Sequence, residues 1–212
     1  MKKVILVLAV AVATTFSSFA QSEKYYGAMG ATLQQYGTAK TPEELDALAA
    51  KFERIGDAEK TQWLPFYYAA LIKTNKAMQT QGVAIDKLAD EAAAILAKAE
   101  AIEPNNSEIL CVKSMIATAK MLVNPMERWM QYGQASSEAI AKAKAADATN
   151  PRPYMLEALS KKNTPENFGG GCKVAKSIAD KANELFAAFK PASQLHPFWG
   201  KEVLDAQMKS CN

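Results

Sequence analysis

The sequence predicts an all-α protein in which helical hairpins repeat and stack as a short right-handed solenoid of about nine helices. Three observations support this prediction. From residue 25 onward, apolar residues recur at the three- and four-residue spacing of one helix face. An alanine-rich helix that stops at Pro104 is echoed 47 residues later by one that stops at Pro151, which indicates a repeat. No segment combines strand-like alternation with β-branched residues.

The first 20 residues, Met1–Ala20, have the pattern of a secretory signal peptide. Lys2 and Lys3 precede the apolar run Val4–Ala13, and Ser18-Phe19-Ala20 offers small residues to a signal peptidase. The apolar run is shorter than the roughly 20 residues needed to span a bilayer. We therefore expect cleavage near Ala20 and export to the periplasm or beyond.

Residues 21–212 are predicted to form a single α-helical repeat domain without a stable membrane anchor. Removing Lys2 and Lys3 from the 25 basic side chains leaves a net charge of +1 against 22 acidic ones. A nearly neutral chain without a basic stripe is not expected to bind nucleic acid.

The first two helices are predicted from their spacing and end signals. The buried face of the first is expected to contain Tyr26, Met29, Leu33 and Tyr36. Thr41-Pro42-Glu43-Glu44 has the pattern of a capped helix start, with Thr41 and Glu44 as a capping box. Gly56 is expected to end that helix.

The next three helices form the centre of the predicted array. Pro65 is tolerated only in a first turn, so one helix begins near Leu64. The next contains the alanine-rich stretch Ala92–Pro104, with Leu96 on its buried face. Ser107 caps the third, which is apolar over most of its circumference and is therefore expected to be central.

Four further helices complete the prediction. Asn124-Pro125 is expected to cap a helix that runs to about Ala146. It is followed by helices over Tyr154–Lys161, Cys172–Phe189 and Phe198–Cys211.

This pattern resembles the tetratricopeptide repeat, in which small and bulky residues alternate on paired helices before a proline. Trp63 opens one unit, and Ala92, Leu96, Ala99 and Pro104 have the matching spacing on its second helix. The next unit has Leu110 and Ser114, then Ala139, Ala143, Ala146 and Pro151. The 47-residue spacing exceeds the family's roughly 34 residues. The C-terminal third, through Phe168-Gly169-Gly170-Gly171 and Phe198-Trp199-Gly200, also resembles a group of exported bacterial repeat proteins. The resemblance implies a fold and an export route, but no activity.

Two features near the C-terminus are candidates for special chemistry. Gly169, Gly170 and Gly171 precede a helix, where free backbone amides and the helix dipole can hold an anion; a purely structural turn is the alternative. Cys172 begins one helix and Cys211 ends the next, so antiparallel packing would bring them together. We predict a disulfide closing a loop of about 40 residues, and a buried free thiol at Cys111.

No constellation of catalytic or metal-binding residues emerges from the sequence. His196, the only histidine, lies in a linker without a cysteine or carboxylate at ligand spacing and is interpreted as a loop residue. Most aromatic residues are expected in the core, with Tyr68 and Tyr132 as candidates to face a concave groove.

These observations predict a non-enzymatic periplasmic scaffold that needs no cofactor. Its concave surface would bind a protein or peptide of the cell envelope. The alternative is a small-ligand-binding component that works with a membrane transporter.

Overall fold

The computed structural model describes residues 23–211, and the predicted signal peptide lies outside them. The described residues contain helices and no strand, which confirms the all-α prediction. Residues 23–211 contain nine helices besides two short 3₁₀ turns, if α6, a π-helical segment and α7 are counted as one irregular helix. Their bounds are α1 (23–38), α2 (Pro42–Glu59), α3 (Leu64–Gln79), α4 (Ala84–Ile102), α5 (Ser107–Leu122), α6 (Pro125–Arg128), the π-helix Trp129–Gly133, α7 (Gln134–Ala146), α8 (Pro151–Asn163), α9 (Cys172–Ala188) and α10 (Lys201–Met208).

The first two helices follow the prediction with two corrections. The capping box of Thr41 and Glu44 is present. On α1, Tyr25 is buried and Tyr26 is exposed, so the buried face is rotated from the predicted one. Gly56 does not end α2, which continues to Glu59. A Cβ at Gly56 would lie 2.6 Å from a ring carbon of Phe66, so glycine is needed there for close packing of α3.

Helices α1–α5 enclose the largest of the three hydrophobic clusters among the described residues, here called the N-terminal core. Eleven of the 16 residues of α3 are buried. On α4, Ala92 and Ala99 are fully buried and Leu96 is 3% exposed, as the repeat pattern requires. Helix α5 contacts α3, α4, α7 and α8, which confirms its central position.

The segment after α5 departs from the prediction. The Asn124 side chain makes no capping hydrogen bond, and α6 is only four residues long. The π-helix then adds a wider turn before α7 begins. This irregular geometry turns Trp129, expected in the core, toward solvent, where 57% of it is exposed.

Helices α8–α10 enclose a smaller cluster, here called the C-terminal core. Four of its seven buried members are alanines, and the large ones are Met155, Leu204 and Met208. The predicted disulfide between Cys172 and Cys211 joins the start of α9 to the residues just after α10, with 5.2 Å between their Cα atoms. Cys111 is free and buried, as expected.

No helix among the described residues is long and apolar enough to cross a membrane.

The elements of the described residues establish the all-helical class. The finer tetratricopeptide-like solenoid stays a prediction.

Candidate functional site

A cleft of about 620 Å³ lies where the two cores meet. Ligand sites in proteins typically measure roughly 300–1,000 Å³, so this volume suits a small molecule. The cleft is formed by the α4–α5 connection, the α7–α8 connection, the end of α9 and the linker that follows. Its apolar lining includes Trp63, Pro104, Leu185, Phe189 and Pro197.

Two helix N-termini border this cleft because α5 and α8 both start at its edge. Each is capped by an asparagine. The Asn106 Oδ1 accepts hydrogen bonds from the Glu108 and Ile109 amides at 2.9 and 3.3 Å. The Asn150 Oδ1 accepts one from the Arg152 amide at 3.0 Å. The helix dipoles therefore direct partial positive charge toward the cleft.

The floor of the cleft rests on a buried ion pair between α5 and α8. The fully buried Arg152 donates from Nη1 to Glu108 Oε1 at 2.7 Å and from Nη2 to the Pro197 carbonyl at 2.6 Å. Its guanidinium lies over the rings of Phe189 and Trp199, at 4.7 and 5.4 Å from their centroids. One arginine thus connects the floor, the α9 wall and the linker wall.

Further hydrogen bonds satisfy the Glu108 carboxylate. It accepts from Asn150 Nδ2 at 2.9 Å and from the Tyr67 hydroxyl at 3.4 Å. The Tyr67 hydroxyl in turn accepts from Trp199 Nε1 at 2.8 Å. Burial raises the pKa of both Glu108 and Tyr67, while Arg152 opposes this rise. The Tyr67 hydroxyl therefore stays protonated and donates.

The linker wall is held in place by Tyr68 and by its own turn. The Tyr68 hydroxyl donates to the Leu195 carbonyl at 2.8 Å. Within the linker, Ser193 Oγ accepts from the Leu195 amide at 3.2 Å and lies 2.8 Å from His196 Nδ1. The His196 ring packs edge-on against Trp63, with 5.8 Å between centroids. Burial lowers the pKa of His196, which favours its neutral form.

Apart from the cleft, a group of exposed apolar side chains lies at and around the π-helix and is here called the π-helix patch. It contains Leu122, Met126, Trp129 and Met130. π-Helical turns often occur at functional sites. Beside it, Arg128 donates to both carboxylate oxygens of Asp86 at 2.7 and 3.0 Å, which ties the patch to α4. None of the patch residues lines the cleft.

The two aromatic residues predicted to face a groove do not line this cleft. Tyr68 is 3% exposed and stacks on Phe52, so it is a core residue whose hydroxyl supports the linker; this corrects the prediction. Tyr132 is half-buried next to Lys120 and Arg128, at 5.8 and 5.9 Å from its ring centroid.

The three glycines of the predicted anion site use their amides within the turn. Gly169, Gly170 and Gly171 donate to the carbonyls of Glu166, Pro165 and Lys161 at 3.0, 3.2 and 2.9 Å respectively. A Cβ at Gly170 would lie 2.1 Å from the Thr164 carbonyl oxygen. These amides are not available to an anion, which corrects the anion-site prediction in favour of its structural alternative.

The residues of the cleft that sequence reasoning missed are Trp63, Phe189 and His196. They are far apart in the chain. Trp63 opens a predicted repeat unit and His196 lies in a linker, and neither position indicates a shared site. The only signal was indirect: the single histidine occurs in a proline-bounded linker between two helices.

The fold and the cleft define an all-helical protein with a ligand-sized site at the junction of two cores. Its structure is similar to a solved structure described as the HusA haemophore from Porphyromonas gingivalis, with 37% sequence identity and a TM-score of 0.80. The similarity covers 88% of this chain and 92% of that one. The chain therefore belongs to the family of the HusA haemophore. No protein-family model matches the chain, and no curated protein matches it.

Proposed function

We propose that this protein is an exported, non-enzymatic haemophore that binds haem, or a porphyrin of the same shape, in the cleft. The observation that carries the proposal is the 37% identity to the HusA haemophore over 92% of that chain. This function corresponds to the small-ligand alternative from the sequence and replaces the peptide-binding scaffold as the leading function.

The lining of the cleft supports a porphyrin as its ligand. Trp63, Leu185 and Phe189 offer apolar surface to a flat macrocycle. The two carboxylates of haem need positive charge near the rim, which Lys190 and the Asn-capped starts of α5 and α8 supply against the carboxylates of Glu103 and Asp147 in the same lining. The floor adds little net charge because Glu108 is paired with Arg152.

Titration of the untagged mature protein with ferric haem tests this proposal, with the Soret absorbance as the readout. Ala188 is exposed at the end of α9 and lines the cleft, so Ala188→Trp fills the site without burying a new side chain in a core. We expect binding to weaken about 10-fold or more, which corresponds to about 1.4 kcal/mol. The matched control is Trp129→Ala on the π-helix patch, which should leave affinity within about 2-fold.

Three outcomes separate the possibilities. Loss of binding in Ala188→Trp alone supports the cleft. Loss in Trp129→Ala alone moves the site to the π-helix patch. Absence of haem binding by the unmodified protein contradicts the proposed function.

We also propose that the ligand passes from the cleft to a membrane receptor or transporter. For the fold, we propose a divergent tetratricopeptide-like array. The pairs α3–α4, α5–α7 and α8–α9 would be its three units. Each pair packs closely, and the disulfide suits a compartment in which such bonds persist.

A further inference from the structure

A further cavity lies away from the cleft, in the groove between α1 and α2, and is here called the α1–α2 groove. Its volume is about 200 Å³. Lys24, Tyr25 and Ala28 line it from α1, and Arg54 and Ile55 are among the residues that line it from α2. It shares no lining residue with the cleft, so it is separate from the site proposed for haem.

The walls of the α1–α2 groove combine an apolar surface with positive charge. Ala28 and Ile55 belong to the apolar part. Lys24 and Arg54 form no hydrogen bond or ion pair with any residue of the described range 23–211. Their charges are therefore available to a ligand.

Positive charge exceeds negative charge in this groove. Three cations, Lys24, Lys51 and Arg54, line it together with one carboxylate, Glu59. Lys51 donates to Gln35 Oε1 at 3.1 Å, a neutral partner that leaves its charge uncompensated. The groove therefore favours an anion over a cation or a neutral polar molecule.

The hydroxyl of Tyr25 independently indicates a ligand with an acceptor oxygen. Tyr25 lines the groove and is 4% exposed, and its hydroxyl is buried without a hydrogen-bond partner among the described residues. Buried polar atoms are nearly always paired in folded proteins. Burial, together with the nearby Tyr26 and Glu59, raises the pKa of Tyr25, so this hydroxyl stays protonated and can donate.

We propose that the α1–α2 groove binds a short aliphatic carboxylate, with Arg54 and Tyr25 as its main polar contacts. A guanidinium matches the two oxygens of a carboxylate, and the Tyr25 hydroxyl supplies a further donor. The tail of the ligand packs on Ala28 and Ile55. Because the cavity is smaller than the roughly 300–1,000 Å³ of larger ligand sites, it suits a small molecule and not a porphyrin. This site goes beyond the proposed haem function and does not depend on it.

Titration of the untagged mature protein with hexanoate tests this proposal, with two-dimensional ¹H–¹⁵N NMR as the readout. We expect saturable shifts of amides on α1 and α2. Hexanamide has a tail of the same length without a charge and should bind about 10-fold more weakly or less. Inorganic phosphate has charge without a tail and should also bind more weakly than hexanoate.

Two variants test the polar contacts. Arg54 is exposed, and Arg54→Gln should weaken hexanoate binding about 10-fold. Tyr25→Phe should weaken it about 5-fold without lowering the melting temperature, because the hydroxyl has no partner among the described residues to lose. The matched controls are Lys142→Gln on the exposed face of α7 and Tyr26→Phe on α1, which should leave affinity within about 2-fold.

The outcomes separate this site from the cleft. The proposal is overturned by an absence of saturable shifts, by equal binding of hexanoate and hexanamide, or by an unchanged hexanoate affinity in Arg54→Gln. Weaker hexanoate binding in Ala188→Trp alone assigns the anion to the cleft and overturns it as well. Should Tyr25→Phe not fold, Arg54→Gln decides. The haem titration uses a different ligand and different variants, so the two proposals fail separately.

Discussion

The N-terminal and C-terminal cores are stabilised by different means. The N-terminal core contains large aromatic and aliphatic residues from five helices, including Phe52, Tyr67 and Ile109. The C-terminal core is smaller and rich in alanine, and a disulfide joins its α9 and α10 segments. A small apolar cluster supplies less free energy of burial, so covalent and polar links have a larger share in holding this part of the chain.

Polar links also attach the C-terminal region to the N-terminal one. Tyr68 holds the Leu195 carbonyl, Trp199 donates to Tyr67, and Arg152 pairs with Glu108. The cleft lies along this junction, so the geometry of its walls depends on a few specific hydrogen bonds.

Breaking the buried ion pair should have the largest effect on stability. Arg152→Ala leaves Glu108 buried without its cation, and we expect a loss of about 3–5 kcal/mol in the free energy of unfolding, measured by urea denaturation. The double variant Arg152→Met with Glu108→Leu should be less destabilised than Arg152→Met alone, since no charge is then left unpaired. A loss below about 1 kcal/mol in Arg152→Ala would contradict this assignment.

Removing the disulfide should affect the C-terminal core selectively. The chain-entropy model gives a loss of about 4 kcal/mol for the loop of 39 residues in Cys172→Ala with Cys211→Ala. The rate of amide hydrogen exchange should increase much more in α9 and α10 than in α3. Equal acceleration in all three helices would show that the two cores are not distinct.

A cavity in the N-terminal core should show the opposite pattern. Leu96 is buried on α4, so Leu96→Ala should cost about 2–5 kcal/mol. Because the defect is remote from the disulfide, the loss should be similar in oxidised and reduced protein. A loss below about 1 kcal/mol would mean that α4 does not pack as the repeat requires.

The smallest expected effect concerns a single link across the junction. Tyr68→Phe removes the hydrogen bond to the Leu195 carbonyl and should cost about 1 kcal/mol. Hydrogen exchange at the His196 amide, which donates to the Ser193 carbonyl, should accelerate, because the linker wall loses one attachment. Tyr26→Phe on the exposed side of α1 is the control and should change neither quantity.

The sequence predicted what local chemistry determines. The Thr41 capping box, the start of α3 after Trp63 and the pairing of Cys172 with Cys211 depend on neighbouring residues or on helix ends, and all three are present. The predicted end of α2 was wrong, because Gly56 allows close packing against Phe66 and does not end the helix.

The cleft depends on tertiary structure, which the sequence did not supply. Tyr68 follows the same helical spacing whether it faces a groove or the core, and its partner Leu195 is 127 residues away. His196 was judged by its neighbours in the chain, whereas its position next to Trp63 arises only when the linker folds back over α3.

Cys111 gives the protein an internal reporter of opening. It is fully buried in α5, and burial raises the pKa of its thiol. Alkylating reagents react with thiolates, and the other two cysteines are joined to each other. The rate at which the oxidised protein is alkylated therefore measures how often the central helix separates from its neighbours. A ligand that bridges α5 and the linker should slow that reaction, so occupancy of the cleft can be followed through the chemistry of one natural thiol.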